Sequence, residues 1–171
     1  MTKPEILNFL TEVLDPEVPV LSIVDLGIVR GVVVKDNLVE VVITPTYSGC
    51  PAMKVIEDDI ISKLKEKGIA EVSIKTVLSP AWTTDWISAE AKEKLRKYGI
   101  APPEKNISDV GLEISDLEIR NHKCEIRNKN ISCPNCKSQQ TELISQFGST
   151  ACKALYRCLS CKEPFDYFKC I

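Results

Sequence analysis

Apolar positions along this chain recur with two different periods, and the switches between them mark out its elements. Ile6, Leu10, Val13 and Leu14 fall at helical spacing behind a Pro4 suited to a first turn, which predicts a helix over Pro4–Leu14. Asp15-Pro16-Glu17 and Val18-Pro19 end it, because a residue before proline is pushed out of the helical region. Two β-branched runs, Ile28–Lys35 and Leu38–Thr44, are separated by Asp36-Asn37 and predict a tight hairpin. Pro45–Gly49 breaks the second strand, and Pro51 opens a second helix. Its buried face is Ala52, Ile56, Ile60 and Leu64, and Gly68 closes it. Val72, Ile74 and Leu78 alternate with polar residues as a third strand, and a third helix runs from an N-cap at Ser88 to Gly99. The order α-ββ-α-β-α predicts an α+β sandwich, one sheet covered by helices.

Ala101-Pro102-Pro103 marks the edge of that domain, which therefore spans 1–103. Residues 104–130 are either a linker or, through Val110, Leu112, Ile114, Leu117 and Ile119, an extra strand. Residues 131–171 make a second, small module. Its short strands are predicted at Thr141–Ile144, Ala154–Arg157 and Phe165–Phe168.

Composition changes this picture little. With 44% hydrophobic and 27% charged residues the chain can build a normal core, so disorder is not the default. No apolar run reaches the roughly 18 residues of a membrane span. Acidic groups run through MTKPEILNFLTEVLDPE where an export signal would be apolar, so the expected location is the cytoplasm. Charge is uneven: residues 1–120 hold 14 basic and 20 acidic groups, while residues 121–171 hold 8 and 4. That asymmetry suits two units with different surfaces, and the basic excess is too small to imply nucleic-acid binding.

The cysteines change it most. Eight thiols in a chain expected to stay in a reducing compartment argue for metal binding or thiol chemistry rather than disulfides. Cys133-Pro134-Asn135-Cys136 and Cys158-Leu159-Ser160-Cys161 are two C-x-x-C knuckles separated by 21 residues. Two thiolates at that spacing converge on one ion, and two such pairs complete a tetrahedral four-sulfur site of the zinc-ribbon kind. A structural zinc is the expected cofactor, since a module of about 40 residues needs a staple. Four thiolates also hold iron or an iron–sulfur cluster, and Cys152 and Cys170, each expected to be a buried or surface thiol, keep that alternative open; Cys124, before the ribbon, has no assigned role. His122 is expected to be a solvated residue of the linker.

Cys50 stands alone, in Gly49-Cys50-Pro51 at the start of the second helix. As an N-cap it would face free backbone N–H groups and the positive end of the helix dipole, which stabilise a thiolate able to attack electrophiles or bind iron. The alternative is a small, half-buried cap residue. Asp15, Glu17 and Asp25 are candidate partners in the N-terminal segment. Trp82 and Trp86 are expected to be core or rim aromatics.

Asp15-Pro16-Glu17, Asp25-Leu26-Gly27-Ile28, Thr44-Pro45-Thr46 and Gly49-Cys50-Pro51 together resemble the iron–sulfur cluster assembly family that includes the bacterial SufT-like proteins. The resemblance covers roughly residues 1–100. The tail Phe147-Gly148-Ser149-Thr150-Ala151-Cys152-Lys153-Ala154-Leu155-Tyr156-Arg157-Cys158, closing on Phe165-Asp166-Tyr167-Phe168-Lys169-Cys170, is similar to the branch of that family tied to phenylacetate degradation. The resemblance implies an accessory protein, not an enzyme, that passes a transient iron–sulfur cluster through Cys50, with Asp15, Glu17 and Asp25 lining its neighbourhood. It implies as client the reductase component of phenylacetyl-CoA epoxidase or another iron–sulfur protein. A carrier must release its cluster, and one Cys50 thiolate per chain, paired across a homodimer, would do so better than a closed four-cysteine cage. Competing readings are an adaptor docking through its ribbon, a nucleic-acid-binding ribbon using Tyr156, Phe165, Tyr167 and Phe168, and a thiol enzyme using Cys50.

Overall fold

The computed structural model describes residues 2–35, 38–47, 49–103 and 131–169. The Asp36-Asn37 turn, His122, Cys124, Cys170 and the alternating segment at Val110–Ile119 lie outside the described residues. Two compact units are present, Met1–Lys94 and Leu95–Ile171.

In the first unit α1 (Lys3–Leu10) is followed by the hairpin of β1 (Val29–Lys35) and β2 (Leu38–Ile43), then α2 (Ala52–Glu66) and β3 (Glu71–Thr76). The sheet order is β1-β2-β3, with β1 antiparallel and β3 parallel to β2. A parallel neighbour needs a long crossover, and the 15-residue α2 supplies it. Val39, Val41 and Ile43 of β2, Ile56, Ile60 and Leu64 of α2, and Ile6 and Leu10 of α1 are buried, so the helices cover one sheet face. Each such side chain contributes roughly 1.5–3 kcal/mol by leaving water.

α1 is shorter than its apolar stripe. The N–H groups of Glu12 and Val13 donate to Phe9 and Leu10 three residues back, tightening the last turn. Leu14 then leaves the helix to bridge Ser22 and is 47% exposed. β3 likewise stops at Thr76, leaving Leu78 exposed. A short 3₁₀ turn at Thr84–Trp86 precedes α3 (Ala89–Tyr98), whose Ala91 N–H is accepted by the Ser88 hydroxyl at 3.0 Å. Gly99 ends α3 at φ +89°.

The second unit is a four-stranded sheet in the order β4-β7-β6-β5, formed by β4 (Ile100–Ala101), β5 (Thr141–Ser145), β6 (Lys153–Cys158) and β7 (Pro164–Phe168). Ile100 and Ala101, read from the sequence as the end of the first domain, pair in parallel with Asp166 and Tyr167. Ala101, Ile131, Ala154, Tyr156, Phe165 and Tyr167 form its core together with Cys133 and Cys158. Tyr156 stacks on Phe165 at 5.9 Å and meets Tyr167 edge-on at 5.8 Å. Tyr156, Phe165, Tyr167 and Phe168 are thus buried in the core and are not a stacking platform for a nucleic-acid base.

Candidate functional site

The two C-x-x-C knuckles fold alike. Lys137 and Lys162, each directly after the second cysteine of its knuckle, take left-handed conformations at φ 63° and 66°. A lysine there costs about 1 kcal/mol, and the turn is retained because it swings the backbone round a common centre. The Lys137 N–H donates to the Cys133 carbonyl at 2.9 Å, and the Cys158 N–H to the Glu163 carbonyl at 3.0 Å. The hydroxyls of Ser138 and Ser160 join the knuckles at 2.7 Å.

The Sγ atoms of Cys133, Cys136, Cys158 and Cys161 all lie within 4.8 Å of one another. Cys133 and Cys161 are 3.8 Å apart, and Cys136 and Cys158 are 3.5 Å apart. A tetrahedron with metal–sulfur bonds of about 2.3 Å has edges of about 3.8 Å, so the four sulfurs fit one tetrahedral ion. A cluster puts several irons between its thiolates and spreads them further. Cys152 is not part of this set: it is buried, 3.0 Å from the Thr150 hydroxyl.

Without a metal the thiols of Cys133, Cys158 and Cys161 are pulled in different directions. The Cys161 N–H, helped by that of Ser160 and by the Cys136 and Cys161 thiols, overcomes burial and pulls Cys158 down to about 6. Cys161 is pushed up to about 12: the Glu163 N–H works the other way but is outweighed by burial and by the other three cysteines. Burial also moves Cys133 up. Cys158 is inclined to ionise while Cys133 and Cys161 are inclined to stay protonated, and a divalent cation held here would take the place of protons on the sulfurs.

Cys50 lives in a different setting. α2 begins at Ala52, and Pro51 is already helical at φ −68°, ψ −22°, so Cys50 sits one residue ahead of the cap position. Its N–H donates to the Tyr47 carbonyl at 3.2 Å, and its carbonyl accepts the Met53 N–H at 3.4 Å. The half-buried thiol is held by the Ala52 N–H and the Thr46 hydroxyl. Those bonds favour a thiolate, as the helix start predicts. Burial and the charges of Glu17 and Asp15 outweigh them, and the thiol is raised above its ordinary value.

Of the three acidic candidates, the structure brings two to Cys50. Asp15 is buried, and its Oδ1 accepts the N–H groups of Glu17 at 2.9 Å and Val18 at 2.7 Å. That turn shapes the Asp-Pro-Glu loop, whose Glu17 and Asp15 charges are felt at the thiol. Asp25 makes a different set of contacts. It accepts the Ser22 N–H at 3.0 Å, its own N–H donates to the Ser22 hydroxyl at 3.0 Å, and Lys94 donates to it at 2.7 Å. Burial opposes its ionisation, yet Lys94 and Ser22 hold its carboxyl below the usual range.

The loop after Asp25 is packed from outside. Trp82 Nε1 donates to the Leu26 carbonyl at 2.8 Å, and Arg30 lies 3.5 Å from the Trp86 ring centroid. Gly27 has φ +69°, and a Cβ there would come within 2.8 Å of Trp86 Cβ. Both tryptophans are therefore structural.

Residues 3–77 match the model of the iron–sulfur cluster assembly protein family, and residues 120–169 match that of the PaaD zinc beta ribbon domain. A protein of Escherichia coli described as a component of a putative 1,2-phenylacetyl-CoA epoxidase is 46% identical over 98% of this chain and 92% of that protein. The chain belongs to the PaaD family. The PaaD architecture, an assembly domain followed by a ribbon, accounts for both groups of cysteines. An Fe-S protein maturation auxiliary factor of Porphyromonas gingivalis is 38% identical over 55% of this chain and 90% of that protein. The crystal structure of a domain of unknown function from Bacillus anthracis superimposes with a TM-score of 0.52 at 29% identity, over 54% of this chain and 90% of that one. No described helix is long and apolar enough to cross a membrane.

Two features of these sites go beyond the sequence reading. Nothing along the chain signals that the Thr46 hydroxyl, at a strand end, turns to Cys50. The left-handed lysines do have a readable signal, in the repeated Cys-Lys that closes both knuckles.

Proposed function

We propose that this chain is a non-catalytic accessory protein that matures an iron–sulfur client of the phenylacetyl-CoA epoxidase system, with the reductase component as that client. One observation carries the reading: Cys50 is the single cysteine within the 3–77 assembly region. Iron–sulfur clusters are held by thiolates, so any cluster handled by that domain passes through Cys50. The ribbon holds a structural zinc through Cys133, Cys136, Cys158 and Cys161, which folds a unit too small to rely on its core.

The setting of Cys50 suits cargo that has to leave. Its raised pKa keeps the sulfur protonated at neutral pH, so iron must displace a proton to bind, and reprotonation favours release. Glu17 and Asp15 make the surroundings negative, which suits an iron centre better than an anion. Two copies, each giving one Cys50, would supply a pair of thiolates to a cluster in transit.

The test is anaerobic loading of wild type and Cys50→Ser with iron and sulfide, followed by transfer to the apo-reductase component. Wild type should gain iron, acid-labile sulfide and a visible spectrum, and should restore the client. Cys50→Ser should keep one zinc and do neither. Equal maturation by Cys50→Ser would sink the proposal in favour of an adaptor that docks without touching iron.

A further inference from the structure

The first unit buries one polar group that neither the core nor the Cys50 contacts account for. Thr44, directly after β2, is 1% exposed, and among the described residues its Oγ1 is the buried side-chain oxygen left without a hydrogen-bond partner. Buried hydroxyls are nearly always bonded, because an unmade bond lowers stability and a valine of nearly the same shape would avoid the loss. A hydroxyl in this position has a proton to donate and no acceptor among the described residues.

Its place in the fold points to where an acceptor would come from. The Thr44 N–H donates to the Ile28 carbonyl at 2.9 Å, and the Val77 N–H donates to the neighbouring Ile43 carbonyl at 2.9 Å. Thr44 is thereby clipped between the loop that follows Asp25 and the residue that follows β3. Pro45 keeps it extended, since a residue before proline is pushed out of the helical region. Alternate side chains of an extended segment share one side, so Thr44 presents its hydroxyl on the side of Thr46. The Thr46 hydroxyl is the one that bonds the Cys50 thiol. Two hydroxyls on alternate residues thus lead into the Cys50 loop, one in use and one idle.

We propose that the Thr44 hydroxyl is a second donor of the Cys50 site and hydrogen-bonds an anionic sulfur of the iron–sulfur cargo. Resting on the maturation reading above, that sulfur is the Cys50 thiolate once iron has taken the place of its proton, or a sulfide of the cluster. Both are charged acceptors, and a hydrogen bond to a charged group is stronger than one between neutral groups. The bond missing from the unloaded chain forms on loading, which makes Thr44 a cargo-binding residue and explains a hydroxyl where the core alone would favour a methyl.

The experiment loads full-length, zinc-bound wild type, Thr44→Val, Thr44→Ser and Cys50→Ser anaerobically, once with ferrous iron alone and once with ferrous iron and sulfide. Retained iron and acid-labile sulfide are followed after a ferrous-iron chelator is added, and urea melts read the stability of the first unit. Thr44→Val should melt at or above the wild-type midpoint, because it removes an unbonded hydroxyl, and yet lose its cargo about tenfold faster. Thr44→Ser keeps the hydroxyl and should lose cargo near the wild-type rate. Faster loss in both loadings makes the Cys50 thiolate the acceptor, and faster loss confined to the loading with sulfide makes it a cluster sulfide. Retention by Thr44→Val within about twofold of wild type in both loadings overturns the proposal. A lowered urea midpoint in Thr44→Val overturns it too, by showing that the hydroxyl is already bonded in the unloaded chain. Cys50→Ser separates the two ideas. If it retains cargo as wild type does while Thr44→Val does not, the Cys50 reading fails and the Thr44 donor stands. If it retains none while Thr44→Val matches wild type, the Thr44 donor fails alone. Wild type that takes up no iron in either loading overturns both.

Discussion

The two sulfur sites of this chain use the same residue type in opposite ways, and their surroundings account for the difference. In the ribbon each sulfur faces three others, and Cys158 also faces backbone N–H groups. At Cys50 one sulfur meets a single N–H, a hydroxyl, burial and two carboxylates. The first set offers four sulfurs to one ion, with Cys158 the thiol most inclined to ionise. The second is a single thiol whose surroundings favour the protonated form. On the proposed function, four thiolates hold and one hands on; a helix start alone does not make a reactive thiolate when carboxylates face it.

The sharpest way to break this contrast is to open the ribbon. Cys158→Ser, or a strong chelator, should remove the zinc and with it on the order of 10 kcal/mol of folding free energy from the second unit. The thermal transition of that unit should vanish while that of the first unit stays. A ribbon that keeps a cooperative transition and native circular dichroism with no metal bound would reduce its cysteines to core residues, and the contrast would collapse.

A smaller effect tests the framework on the other side. Gly27→Ala puts a side chain at φ +69° and within 2.8 Å of Trp86 Cβ and 3.0 Å of the Trp86 carbonyl oxygen, neither of which is the free end of a side chain. It should destabilise the first unit by about 2–4 kcal/mol, seen as a lower denaturant midpoint, and leave zinc binding intact. A neutral outcome would show that the loop after Asp25 is free to move, and that Trp82 and Trp86 do not fix it.

Much of this was legible along the chain because the strongest signals are local. Ala52, Ile56, Ile60 and Leu64 mark α2 by spacing alone, and the paired C-x-x-C knuckles mark the metal site. What spacing could not show depends on distant partners. β4 has two residues and no pattern of its own; it exists because β7 lies beside Ile100 and Ala101. Leu14 matches the helical stripe, yet its bridge to Ser22 takes it out of the helix. Asp25 stands near Asp15 and Glu17 in the sequence, but its salt bridge to Lys94, 69 residues away, engages it elsewhere. Whether Cys50 is raised or lowered depends on loops meeting in space, since the helix start it precedes argues for the opposite sign.

The smallest effect separates the two kinds of carboxylate and thiol by pH. The folded state lowers the pKa of Asp25, so the stability it contributes is present above its unfolded value, about 3.9, and is lost as pH falls through the folded value. Lys94 is 48% exposed, so solvent screening limits the pair, and Asp25→Asn should cost about 1 kcal/mol at pH 7. The gap between the two proteins should close as pH drops below about 3. Cys50 has the reverse sign. Its folded pKa is raised, so stability is complete below the ordinary thiol value of about 8.5 and declines as pH rises beyond it. Cys50→Ser should therefore match wild type in acid and overtake it in alkali. Urea melts of both variants from pH 3 to 10 would read the two signatures on opposite limbs of one curve. If the Cys50→Ser difference stays flat above pH 9, then Glu17, Asp15 and burial are not acting on that thiol, and the release step in the proposed function loses its basis in a raised pKa.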